Sequence, residues 1–104
     1  MEEIRTDWIT TEELWPLFEQ HQNQVFYTAK GLAFTYTIKG GEMFVDRRSK
    51  SITRATVEKA YEKLKADNGQ TIHGPKKLHV FGAPYIWALF SGLELIKGKE
   101  ELTR

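Results

Sequence analysis

Apolar residues between positions 24 and 46 alternate with polar residues, which is the spacing of strands that bury one face. Three segments carry this pattern: 24–29 (QVFYTA), 32–38 (LAFTYTI) and 42–46 (EMFVD). Lys30-Gly31 and Lys39-Gly40-Gly41 separate them, and glycine supplies the positive φ that tight hairpin turns require. The pattern therefore predicts a three-stranded antiparallel meander.

A helix is predicted over residues 10–21, before the meander. Thr10 and Glu13 have the spacing of a capping box. An apolar stripe follows at i, i+3 and i+4, made of Leu14, Leu17 and Phe18. Pro16 removes a backbone donor past the first turn, so we expect either a kink there or a helix that begins at Pro16.

A second helix is predicted over residues 53–68, after the meander. Thr53 is a suitable N-cap, and Ile52 and Val57 have the spacing of a hydrophobic staple. Asn68-Gly69 is typical of a helix C-terminus. The buried face is predicted to consist of Val57, Ala60, Tyr61 and Leu64.

Two short helical segments are predicted near the end of the chain. Gly74-Pro75 begins the first, because proline suits the first helical position, and Gly82 closes it. Pro84 begins the second, which Gly92 ends. Residues 97–104 are expected to fray because they are charged and terminal.

The predicted fold class is α+β, in the order helix, three-stranded antiparallel meander, helix, short C-terminal helical pair (αβββαα). At 104 residues the chain is long enough for a single domain over 1–104 and too short for two.

Composition offers little for catalysis, metals or membranes. The chain has no cysteine, and its three histidines lack the spacing of metal ligands. Phosphate-loop and nucleophile motifs are absent, so no catalytic residue, metal or cofactor is predicted, although scattered residues could still converge into an enzyme site. The apolar stretch YIWALF is far shorter than the ~20 residues that span a bilayer, and no signal peptide is visible. We therefore expect a cytoplasmic protein that does not enter a membrane.

Charge is distributed unevenly although the net charge is only +1. Residues 1–24 carry −5, residues 25–80 carry +6, and the remainder is neutral. This asymmetry fits an anionic partner for the central segment. It fits equally well an acidic first helix that lies on a basic surface.

The stretch FVDRRSKSITR places several cations between the third strand and the second helix. Arg47, Arg48, Lys50 and Arg54 would lie beside a helix N-terminus, where free N–H groups and the helix dipole favour anions. We predict that these four residues contact nucleic-acid phosphates. The alternative is a solvated loop with no ligand.

Lys76 and Lys77 form a second basic group. They fall in the first turn of a predicted helix, where positive charge opposes the helix dipole and a bound anion would relieve the conflict. If both basic groups share a face, they would hold a nucleic-acid backbone at two points without reading its sequence.

The predicted helix around YIWALF is apolar on all sides and lacks the polar side chains that read base edges. Burial in the core is one interpretation. The other is an interface for a homodimer or a protein partner, with Tyr85, Trp87 and Phe90 as its contact residues.

Two segments, KSITRATVEKAY and GPKKLHVFGAPYIWALF, resemble small uncharacterised proteins of Gram-positive bacteria and their mobile elements. The resemblance extends over residues 34–96 and implies a bacterial cytoplasmic setting, with no activity and no site residues. The helix–sheet–helix order also resembles double-stranded RNA-binding domains, but the chain lacks their basic motif at the second helix.

The predicted function is a small nucleic-acid-binding module with little base-specific readout. The alternative is a protein-interaction module that uses the apolar C-terminal helix.

Overall fold

The computed structural model of the protein describes residues 8–95 and has a mixed α+β architecture, as predicted. In chain order the elements are α1 (Thr11–Gln20), β1 (Phe26–Tyr27), β2 (Ala33–Phe34), β3 (Tyr36–Lys39), β4 (Glu42–Val45), β5 (Ile52–Thr53), α2 (Arg54–Asp67), a 3-10 helix (Pro75–Leu78) and α3 (Ala83–Gly92). The predicted fraying of 97–104 lies outside the described residues.

The capping box of α1 is present as predicted. The Thr10 hydroxyl accepts a hydrogen bond from the Glu13 backbone N–H at 3.2 Å, and the Thr10 N–H donates to the Glu13 carboxylate at 2.9 Å. The helix continues through Pro16, so the alternative in which it begins there is wrong. Pro16 is exposed, whereas the apolar stripe packs inward.

Residues 33–39 form a single interrupted strand that belongs to two sheets. β2 pairs with β1 through Phe26 and Phe34, and β3 pairs with β4 through Tyr36 and Val45, both antiparallel. Thr35 separates β2 from β3, yet its N–H donates to the Asp46 side chain at 3.1 Å and its carbonyl accepts from the Asp46 N–H at 3.0 Å. The predicted meander is therefore present, with its central strand in two pieces.

β5 is an element that the sequence pattern did not predict. It pairs antiparallel with β4, with Met43 opposite Ile52 and Glu42 opposite Thr53. Residues 46–51 are consequently the loop of a hairpin, which we call the basic loop, instead of a direct connection into a helix. Two residues are too few to show a strand period, and Ile52 also fits the predicted staple.

α2 is capped as predicted at both ends. The Thr53 hydroxyl accepts from the Thr56 N–H at 3.2 Å, and Asn68 has the left-handed backbone expected at a C-cap, with φ of 50°. The Arg54 N–H donates to the Gly41 carbonyl at 2.8 Å. The N-terminus of α2 therefore lies beside the β3–β4 turn.

Aromatic rings join the helices to the sheet at the centre of the core. The ring centroid of Phe18 lies 6.3 Å from that of Tyr36 and 6.2 Å from that of Phe90. The Tyr36 hydroxyl donates to the Phe18 carbonyl at 2.5 Å, and burial raises the pKa of this phenol well above its usual range. α1, β3 and α3 are thus packed around one buried polar contact.

Gly82 fixes the approach of α3 to the sheet. It has a positive φ of 76°, and a Cβ at this position would lie 2.3 Å from Cδ1 of Ile52. Only glycine avoids both the strain of this backbone conformation and the overlap with a buried side chain.

We expect Gly82→Ala to lower the free energy of unfolding by about 2 kcal/mol or more, from left-handed strain together with overpacking. Urea unfolding followed by tryptophan fluorescence measures the change. Gly74→Ala is the matched control, because Gly74 has an extended φ of −174° and a Cβ added there would meet no heavy atom of the described residues within 4 Å. Equal midpoints for the two variants would contradict this account of Gly82.

Asp67 organises the turn that follows α2, and its protonation should weaken the fold. Partial desolvation raises its pKa, but hydrogen bonds from the Thr71 hydroxyl and from the backbone N–H groups of Ile72, Thr71 and Gln70 outweigh it and lower the pKa to about 2. Because the pKa of Asp67 is lower in the folded than in the unfolded protein, its ionised carboxylate stabilises the fold above about pH 4. This contribution is lost as the pH falls through about 2.

Asp67→Asn should therefore be less stable than the parent at neutral pH, by less than about 1 kcal/mol because the site is solvent-screened. The difference should shrink between about pH 4 and pH 2. Urea midpoints across that range test it, and a difference independent of pH would contradict the assignment.

Candidate nucleic-acid interface

The basic loop projects from the end of the sheet at which β3 begins. The Nε of Arg47 donates to the carbonyl of Ala33 at 2.6 Å, and the Arg48 N–H donates to the Val45 carbonyl at 3.0 Å. Both hydrogen bonds hold the loop against the strand ends. Arg47, Arg48 and Lys50 are exposed, so their positive charges reach solvent.

Two of these cations lie over one aromatic ring. The guanidinium carbon of Arg48 lies 4.8 Å from the centroid of Phe81, and the Nζ of Lys50 lies 5.6 Å from it. Phe81 belongs to the turn before α3 and is 40% exposed. We call Arg48, Lys50 and Phe81 the Phe81 cluster.

The charges of the cluster are not neutralised by acids of the described chain. Among residues 8–95, no carboxylate forms an ion pair with Arg48 or Lys50, and the ion pairs found there join Arg54 to Glu58 and Lys65 to Glu62. The cation–π contacts contribute about 0.5–1 kcal/mol each at such an exposed site. Both cations thus keep their charge available to an anion.

Arg54 is not brought to the basic loop, which corrects the expectation of a single cluster. Its Nε lies 2.8 Å from the Glu58 carboxylate, and its guanidinium carbon lies 6.0 Å from the Trp15 ring centroid. The hairpin explains the separation: β5 runs back along β4, so Arg54 lies beside Gly41 at the opposite end of the strands. Three residues lie between Lys50 and Arg54, and two of them form β5.

The sequence suggested that the N-terminus of α2 lies beside the basic loop. The structure instead places it at the β3–β4 turn. Its Arg54 N–H is satisfied by the Gly41 carbonyl, and its Thr56 N–H by the Thr53 hydroxyl. The Ser51 hydroxyl donates to the Glu42 carboxylate at 2.5 Å. These α2 N–H groups and the Ser51 hydroxyl are therefore already partnered, and the exposed charges at the loop are those of its Arg and Lys side chains.

Lys76 and Lys77 lie in the single turn of the 3-10 helix, and both are exposed. A turn of four residues has little dipole, so the electrostatic conflict predicted for a longer helix does not arise. Three residues lie between Lys77 and Phe81, so their Cα atoms are at most about 14 Å apart. Among the described residues, neither lysine lies over the Phe81 ring as Arg48 and Lys50 do.

The acidic side of α1 does not cover the basic loop. α1 packs against α2, where the Thr11 hydroxyl donates to the Glu62 carboxylate. The indole N–H of Trp15 donates to the Gly40 carbonyl at 3.1 Å, which places α1 at the β3–β4 turn, the far end of β4 from the loop. α1 therefore packs on α2, which belongs to the basic central segment, and Lys65 of α2 donates to the Thr11 hydroxyl at 3.4 Å. An acidic helix on a basic element thus describes α1 on α2 and leaves the basic loop uncovered by α1.

The predicted interface residues divide between core and surface. Phe90 is completely buried within the chain and Tyr85 is nearly so, while Trp87 is partly exposed. The side chains of Phe90 and Tyr85 thus pack against their own chain, Tyr85 against the ring of Phe34 at 5.0 Å. Of the three, Trp87 alone has surface to offer a partner.

Phe81 is the member of the site that sequence reasoning missed. The residue lies between two glycine- and proline-bounded segments and 30 positions after the end of the basic loop in sequence. Its proximity to Arg48 and Lys50 depends on the β4–β5 hairpin, which leaves no periodic signal. An isolated aromatic residue beside a helix-initiating Gly-Ala-Pro was the single local hint.

Comparisons with protein-family models, curated proteins and solved structures find no match to this chain. The resemblance to small proteins of Gram-positive bacteria therefore stays a prediction. Within residues 8–95, no helix has the length and apolar character needed to cross a bilayer. The same part of the chain contains no group of three or more His, Cys, Asp or Glu side chains arranged to hold a metal ion.

Proposed function

We propose that the protein is a small nucleic-acid-binding module that contacts the phosphate backbone through Arg47, Arg48 and Lys50. The observation that carries the proposal is the pair of cations on the exposed ring of Phe81, unpaired with any carboxylate of the described residues. Lys76 and Lys77, whose side chains are exposed on the 3-10 helix, form a second contact group in this proposal. Arg54 does not belong to this surface, because its guanidinium is paired with Glu58 at the other end of the hairpin.

Phosphate contacts of this kind give affinity with little sequence preference. Lys and Arg side chains displace counterions from the phosphates, and the released ions make binding strongly salt-dependent. Reading bases requires polar side chains on an element that enters a groove, and α3 does not offer such a face because its side chains are mostly buried. Binding is therefore sequence-tolerant.

We expect Arg48→Gln/Lys50→Gln to weaken binding to every nucleic-acid sequence by a similar factor. The slope of log K against log salt should fall by about 1.4 to 1.8, because two phosphate contacts are lost. Fluorescence anisotropy titrations at several salt concentrations measure both quantities.

The control is Lys39→Gln/Lys59→Gln, which removes the same charge from exposed positions away from the basic loop. Equal losses in the two double variants would show a general charge effect and contradict a local site. Absence of any binding by the parent at about 50 mM salt would refute the function itself.

The second candidate function is self-association, which a different apolar surface favours. Val25, Tyr27 and Leu32 are exposed side chains on the β1–β2 hairpin, with Tyr27 63% exposed. β1 pairs with β2 along one edge, and no described strand pairs with its other edge. A groove of about 430 Å³ is lined by residues 24–27 and by Ala88, Ser91 and Gly92 of α3. Exposed apolar side chains beside an unpaired strand edge offer a self-complementary surface to a second copy.

In that case, Tyr27→Lys should keep the protein at its monomer mass of 12.1 kDa while the parent approaches twice that mass with rising concentration. Light scattering measures the mass. Thr37→Lys is the control, since Thr37 is an exposed position on β3, which pairs with β4 and lies outside the β1–β2 hairpin. A monomeric parent at all concentrations would exclude self-association.

A further inference from the structure

We infer that Phe81 is a stacking platform for a nucleobase, so that the ligand is single-stranded nucleic acid. This inference rests on the proposed function and names its substrate class. Proteins that bind single strands combine cations that follow the backbone with aromatic rings on which bases stack. The Phe81 cluster brings both kinds of group together: the cations lie 4.8 and 5.6 Å from the ring centroid.

The backbone turn that carries Phe81 is held against the β4–β5 hairpin. Gly82 has a positive φ and packs directly on Ile52 of β5, and the Ala83 N–H donates to the Val80 carbonyl at 3.3 Å. The turn that carries Phe81 is thereby fixed against the same hairpin that carries Arg48 and Lys50. Because the backbone is already ordered, stacking on the ring costs side-chain freedom only.

A stacked base would replace two cations on the ring. The two cation–π contacts together correspond to a factor of about 5 to 30 in an equilibrium constant, and stacking of one base corresponds to about 5 to 150, so stacking at least offsets their loss over most of this range. Displacement also frees Arg48 and Lys50 to contact the phosphates that flank the stacked base. In the unbound protein the ring holds these cations close to where the phosphates arrive.

A duplex can make the phosphate contacts of this arrangement but not the stacking contact with Phe81. Its phosphates are accessible to Arg47, Arg48 and Lys50, but the faces of its bases are covered by neighbouring base pairs. A single strand exposes base faces and phosphates together. The geometry therefore favours single strands over duplex at equal charge.

Phe44 provides a matched control for Phe81. It is 39% exposed, almost the same as Phe81, but it lies on the outer side of β4 opposite Thr37. Among the described residues, no cation lies over its ring in the way that Arg48 and Lys50 lie over Phe81. Removing Phe44 thus changes surface apolar area by a similar amount without touching the cluster.

The test is fluorescence anisotropy with labelled oligothymidylate and oligouridylate of about 12 nucleotides, and with a duplex of equal length. Phe81→Ala should bind the single strands about 5- to 100-fold more weakly than the parent, with a much smaller change for the duplex. Phe81→Leu, which keeps apolar volume but has no flat ring, should show a similar loss. Phe44→Ala should bind as the parent does.

A spectroscopic readout reports stacking directly. The indole introduced by Phe81→Trp should be quenched when the single strand binds, while affinity is kept or increased. Urea unfolding of each variant identifies any loss that comes from instability, and Phe81→Leu retains most of the packing if Phe81→Ala is unstable.

The outcomes separate this inference from the proposed function. If Phe81→Ala and Phe81→Leu bind oligothymidylate or oligouridylate as tightly as the parent does, the stacking role is overturned. Phosphate binding is left intact by that result. The stacking role is also overturned if the duplex binds as tightly as the single strands and the indole is not quenched. A parent that binds none of the three ligands overturns the proposed function itself.

Discussion

The antiparallel pairing of β4 with β5 is the constraint on which the rest of the structure depends. Its register, with Met43 opposite Ile52, reverses the chain after the basic loop and delivers α2 to the β3–β4 turn. Gly82 packs closely on the buried side chain of Ile52, and this contact fixes the turn before α3. One short hairpin thereby decides where the basic residues point, where α2 begins and which aromatic ring the cations meet.

The aromatic core determines which surfaces remain for function. Phe18, Tyr36 and Phe90 bring α1, the sheet and α3 together, and the buried hydroxyl of Tyr36 finds its acceptor in the Phe18 carbonyl. Burying this polar group would be costly without that partner. Most of α3 is buried in the core. The side chains that stay exposed near it include those of the preceding turn and of the basic loop.

Local signals in the sequence predicted most of the fold. Thr10 and Thr53 start their helices as their side chains require, Asn68 adopts the left-handed C-cap, and the alternating segments form the meander. β5 was missed because two residues show no period, and Arg54 was misplaced as a result. Only part of the candidate site was predictable. The concentration of charge identified Arg48 and Lys50, but their contact with Phe81 forms between segments more than 30 residues apart and leaves no local sequence signal.

The hydrogen bond from Arg47 to the Ala33 carbonyl links the two sheets at their shared strand. Ala33 pairs with Tyr27 of the β1–β2 hairpin, and Thr35 joins the same strand to Asp46, the residue before Arg47. The exposed apolar hairpin and the basic loop are therefore both hydrogen-bonded to the same strand, residues 33–39. Substitutions in that strand bear on the positions of both surfaces.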